Sequence, residues 1–128
     1  MSPDLKYLLF SVILTFVQML VAVSFANFSL GLPTLAGNRE GLSELPGAGG
    51  RAKRAHLNML ENLLLFAVLV LIAAVAGKAN ATTAMGAMIF FWARLAYAII
   101  YVVGLPWLRT LCWVASVVGM IMIAVQLF

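Results

Sequence analysis

Four residues define the chemistry to be expected of this chain: Arg51, Arg54, Asn58 and Glu61. They lie in the stretch from Arg51 to Phe66, which begins as a basic loop end and runs into an apolar helix. At about 100° per residue they share one helical face roughly 80° wide. At about 1.5 Å rise per residue, Glu61 lies roughly 10 Å deeper than Arg54. A carboxylate at that depth costs ~2.5 kcal/mol or more unless it is paired or faces a polar cavity. A cationic rim above a deep acid suits a zwitterionic, multiply charged small molecule. The plainer reading, a helix start whose charges serve topology and packing, stays open.

A second set follows. Arg94, Tyr97 and Tyr101 share a face about 60° wide in the apolar run from Thr82 to Val103. Arg94 lies about halfway along, where an unpaired guanidinium is expensive. Glu61 is the one carboxylate at similar depth, so an Arg94–Glu61 pair or a shared ligand network is expected. Tyr97 is deep enough to want a polar partner. Tyr101 reads equally as an interface-belt aromatic or a site residue. Arg109 stands at the membrane surface near the start of the last run, as a site residue or a headgroup anchor. His56 points roughly 160° from the centre of the Arg54–Glu61 face, which favours an interface or headgroup role. Arg39 either swings towards the polar face or meets solvent.

The elements that must position these residues are membrane helices. The chain has 128 residues, 65% hydrophobic and 9% charged, with mean hydropathy +1.10. A soluble domain of this size cannot hide that much apolar surface. Four apolar runs are long enough to cross a bilayer, at ~20 residues each. The expected fold is an all-α integral membrane protein, a four-transmembrane-helix bundle in one domain over residues 1–128. Its helices span about 5–32, 51–76, 82–103 and 107–128. A signal peptide competes for the first run, with Ser24, Phe25 and Ala26 as a small-residue cleavage site, but the run exceeds the usual length and its start is not clearly basic. Gln18 and Asn27 are isolated polar residues in that run, for which a bond between helices is the plain reading. Residues 33–50 form a long glycine-rich connector.

The formal net charge of +4 reads as topology and not as nucleic-acid binding. Arg39, Arg51, Lys53 and Arg54 precede or open the second helix, and Arg109 follows the third. Only Lys6 and Lys78 lie on the other side. The positive-inside rule then makes the first and third loops cytoplasmic and puts both termini outside. The expected placement is a multi-pass protein of a bacterial inner membrane. Cys112 is alone, so no disulfide, and no cysteine metal site, is expected. A buried, inert thiol is the reading. No metal is expected; membrane lipids and a lipophilic small molecule are the expected partners.

Arg54-Ala55-His56-Leu57-Asn58-Met59-Leu60-Glu61-Asn62 resembles the second-helix signature of the MAPEG family, the membrane-associated proteins in eicosanoid and glutathione metabolism. The resemblance is to its microsomal glutathione transferase branch. Ala93-Arg94, Tyr101, Leu105-Pro106 and Arg109 resemble the end of that family's third helix and the following turn. The resemblance covers all four spans, the first helix and long loop only in general character. It implies a homotrimer with glutathione, as co-substrate, bound between protomers near the cytoplasmic face. Carried over by motif, Arg54, Asn58 and Glu61 bind glutathione, with His56 a weaker candidate. Tyr101 matches a glutathione-contacting tyrosine, and Tyr97 an aromatic or histidine position. Arg109 resembles the arginine that stabilises the thiolate. Two departures stand out: a usual proline is replaced by Leu64 or Leu65, and the spacing from Tyr101 to Arg109 is a variable feature.

The implied activity is a glutathione transferase, or a peroxidase acting on lipid hydroperoxides. Arginines suit the carboxylates of glutathione through forked bonds, Glu61 suits its ammonium, and a nearby guanidinium lowers the thiol pKa. Two rivals remain. A non-catalytic subunit would keep the fold without turnover. A small proton-coupled transporter would use Glu61 as its proton site, although the basic rim would repel cationic cargo.

Overall fold

The computed structural model describes residues 1–128. Five helices follow in order: α1 (Pro3–Leu30), α2 (Leu32–Ala36), α3 (Gly47–Val75), α4 (Ala81–Val103) and α5 (Pro106–Gln126). All but α2 are long and apolar enough to cross a membrane. The protein is therefore a four-helix membrane bundle.

Local chemistry sets the helix ends. Ser2 caps α1 by accepting from the Leu5 amide, with Pro3 just inside and Asp4 in the first turn. Asn80 and Thr83 form a reciprocal capping box at the start of α4. Gly104, at φ 97°, closes α4 in the left-handed conformation. Pro106 opens α5 where its missing N–H does no harm. The helix ends lie up to four residues from the sequence reading, and two differences have a physical reason or add an element. α3 begins at Gly47, not Arg51, because its glycines let the helix start press on the loop: a Cβ on Gly50 would overlap the Leu45 carbonyl. The connector also contains a short helix, α2, with Leu35 buried.

α3 and α4 form the centre. α1 packs on both of them, and α5 packs on both from the other side, mainly on α4. α4 and α5 cross at Gly86 and Gly119, where a Cβ on Gly86 would sit 2.5 Å from the Gly119 carbonyl oxygen. The core is Met59, Phe66 and Val70 of α3, Ala87 and Phe90 of α4, and Met120 and Ile123 of α5. Phe66 and Phe90 stack with ring centroids 3.9 Å apart. Ser24, Phe25 and Ala26 lie inside α1, and Phe25 abuts the start of α3 at Gly49.

Candidate functional site

The buried stripe of α3 runs through Ala52, Ala55, Met59, Asn62, Phe66, Val70 and Ala73. It decides where each polar side chain of that helix points. Asn58 lies on the edge of the stripe towards α4 and α5. Glu61 lies about 140° round from its middle, at 100° per residue. His56 lies on the other edge, towards α1.

Arg94 of α4 is 1% exposed. Its Nη2 donates to Asn58 Oδ1 at 2.7 Å, and its guanidinium carbon lies 4.1 Å from the centroid of the Tyr97 ring. Asn62 Nδ2 donates to the Asn58 carbonyl at 2.8 Å and to Asn58 Oδ1 at 3.3 Å. The expected Arg94–Glu61 pair does not form. α4 packs on the Asn58 edge, so the guanidinium finds an amide and an aromatic face, while Glu61 is exposed on the protomer with no hydrogen bond or ion pair. Arg94 Nε and Nη1 are buried without partners.

One turn towards the helix end, Tyr97 and Tyr101 lie with ring centroids 5.5 Å apart, both largely buried. Tyr101 Oη accepts from Arg54 Nε at 3.2 Å. Arg109, at the start of α5, lies over the other part of this platform, its guanidinium carbon 4.5 Å from the Tyr101 ring centroid. Both tyrosines thus meet cations. A cavity of about 210 Å³ opens here, lined by Asn58, Tyr97, Arg109, Thr110 and Trp113. Cys112 is half-buried against the cluster of Ala55, Tyr97 and Tyr101, not fully enclosed as the sequence reading had it.

The geometry thus brings together Arg54, Asn58, Arg94, Tyr97, Tyr101 and Arg109. It separates others. Arg51 Nε donates to the Val102 carbonyl at 3.0 Å, so this side chain serves the C-terminus of α4 and leaves the polar face. Arg39 donates from Nε to the Leu35 carbonyl at 2.7 Å. Arg39, Lys53 and half-buried His56 line a different cavity, about 580 Å³, between α1, the first loop and α3.

Sequence reasoning missed four contributors. Glu44, in the loop, pairs with Arg54 Nη1 at 2.7 Å, and no periodicity marks it. Asn62 was visible as the residue one turn beyond Asn58. Thr110 and Trp113 follow Arg109 on one face of α5. The cluster holds three guanidiniums, Arg54, Arg94 and Arg109, against one carboxylate, Glu44. Its charge balance is positive. No three His, Cys, Asp or Glu side chains come together as metal ligands.

Compared with protein families, residues 7–128 match the MAPEG family. No curated protein matches the chain.

Proposed function

Because the chain belongs to the MAPEG family, whose members include glutathione transferases, we propose that it is a membrane-bound glutathione-dependent transferase acting on a lipophilic electrophile. The observation that carries this reading is that Arg109 lines the cavity beside Asn58 and Tyr97 while Arg94 lies buried against both of those residues, with no carboxylate to neutralise either cation. A buried cation without a counter-charge is costly. An anionic substrate group supplies that charge.

Each residue then has a role. Arg54 holds a glutathione carboxylate in place of Glu44, whose carboxylate it now meets through Nη1 alone. Asn58, fixed by Arg94, presents its amide to the peptide part. Glu61, unpaired on the protomer surface, takes the ammonium. Tyr97 and Tyr101 form the platform on which Arg109 is held. Arg109 lies beside the thiol. A thiol with a pKa near 8.5 is mostly protonated at neutral pH, and a guanidinium alongside favours the thiolate. The sulfur then attacks an electrophilic carbon. An S–C bond forms, and the leaving group departs with its electron pair.

Because Glu61 faces outward, a neighbouring protomer is needed to enclose the ligand, and a homotrimer supplies it. The arginines and lysines gathered at this end of the bundle support a cytoplasmic orientation for it. The test is turnover of purified protein in detergent with glutathione and a lipophilic aryl halide. A glutathione adduct of the expected mass, dependent on Arg109, supports the reading. Binding of glutathione with no adduct across several electrophile classes would reduce the protein to a binding module.

A further inference from the structure

α1 is built with its polar side inward. Asp4, Ser11, Thr15 and Gln18 are buried, while many of its apolar residues, among them Leu9, Ile13, Phe16 and Leu20, face outward. The Ser11 and Thr15 hydroxyls donate to the Tyr7 and Ser11 carbonyls, each at 2.8 Å, so the helix satisfies them itself. Gln18 is different. It is 8% exposed, and its Oε1 is buried with no hydrogen-bond partner. Such a group is costly in an apolar surrounding and calls for an explanation.

Gln18 lines a cavity of about 380 Å³ between α1, α3 and α4, in which ten of the eleven lining residues are apolar. Small side chains, Ala55 and Ala98, leave the space, and Leu14, Val21 and Leu95 wall it. It shares no lining residue with the Asn58–Arg109 cavity. It is more than twice the size of an apolar cavity of ~150 Å³ that takes up benzene, and falls within the ~300–1,000 Å³ of ordinary small-molecule sites.

We propose that this cavity is a second binding site, for a long-chain alcohol or a similar lipophilic molecule with one hydroxyl. The hydroxyl donates to Gln18 Oε1, and the hydrocarbon body fills the space between α1 and α4. The chemistry narrows the occupant. No charged side chain lines the cavity, so a charged headgroup would be left unpaired there. A lone water needs two to four polar partners, and the walls provide one polar side chain. A plain hydrocarbon fills the volume but leaves the amide oxygen orphaned. A single hydroxyl on an apolar body meets both conditions.

The experiment compares 1-decanol with decane on the full chain in detergent, reading affinity from ligand-dependent thermal stabilisation. Wild type binds decanol about five- to tenfold tighter than decane, the worth of one buried hydrogen bond. Gln18→Leu keeps decane binding and loses the preference. Ala98→Phe fills the cavity, loses both ligands and reports any effect on the micelle alone. Equal binding of decanol and decane to wild type overturns the proposal, as does a preference that survives Gln18→Leu. So does an Ala98→Phe variant that binds like wild type. If Gln18→Leu does not accumulate, Gln18→Met makes the same comparison, and wild type against Ala98→Phe decides the cavity by itself.

Discussion

Replacing Asn58 with leucine isolates the contact that organises the site. Asn58 Oδ1 is the sole hydrogen-bond acceptor for Arg94, at 2.7 Å, in a position 1% exposed. Two magnitudes compete. A neutral hydrogen bond between membrane helices averages ~0.6 kcal/mol in double-mutant cycles. A bond to a charged group is worth about 1.5–3 kcal/mol, and losing it strands a buried charge. Since the donor is a guanidinium with two further nitrogens already unpartnered, the larger value applies. Asn58→Leu should therefore cost about 2–3 kcal/mol. Arg94→Met removes the charge itself and should be close to neutral, since an apolar side chain often replaces a buried ion without loss. The double variant should be about as stable as Arg94→Met alone, a coupling of ~2 kcal/mol. The assay is equilibrium unfolding in mixed micelles for all four proteins. A cost of ~0.6 kcal/mol or less for Asn58→Leu, at the level of a neutral interhelical bond, with no coupling to Arg94, would refute the reasoning.

Three more outcomes are expected. Gly119→Ala places a Cβ 2.6 Å from the Gly86 carbonyl oxygen, so it should push α4 and α5 apart and cost about 1–3 kcal/mol in thermal unfolding. Glu61→Gln should weaken glutathione binding by about tenfold or more, as loss of a charge-assisted bond, yet leave the melting temperature in place because Glu61 has no partner within the protomer; isothermal titration and a melting curve read the two halves. Glu44→Gln frees Arg54 from a half-exposed ion pair, and since such pairs contribute about 0–1 kcal/mol, glutathione affinity by titration should rise, by no more than about fivefold.

How far the sequence foretold this arrangement depends on the kind of information each residue carries. The four spans were readable because a bilayer demands long apolar helices whatever they pack against. Arg54, Asn58, Tyr97, Tyr101 and Arg109 were readable as polar groups in register on their helices. Which side of α3 receives α4 was not. Period alone places Asn58 and Glu61 on one face, but packing splits that face, giving Asn58 to Arg94 and leaving Glu61 outward. Arg51 shows the same limit: it shares the register of Arg54, yet the nearby end of α4 draws it to the Val102 carbonyl. Glu44 was hidden because a loop contact has no periodicity. The inward polar side of α1 was half-visible in Gln18, and the alternating serine and threonine were not distinguished from ordinary lipid-facing positions.

The central claim is that Arg109 sets the ionisation of a bound thiol. Its most direct test is the ultraviolet thiolate absorbance of glutathione bound at saturation, titrated against pH in wild type and in Arg109→Ala. Beside the guanidinium, which lies over the Tyr101 ring at 4.5 Å, the wild-type thiol should ionise well below the ordinary value near 8.5. In Arg109→Ala the midpoint should rise by about one unit or more, each unit being ~1.4 kcal/mol of thiolate stabilisation, and turnover at neutral pH should fall in step. Arg54→Ala should weaken binding with the midpoint unmoved. A midpoint that is the same in wild type and Arg109→Ala, with turnover unchanged, would contradict the account and leave Arg109 as an anchor at the membrane surface.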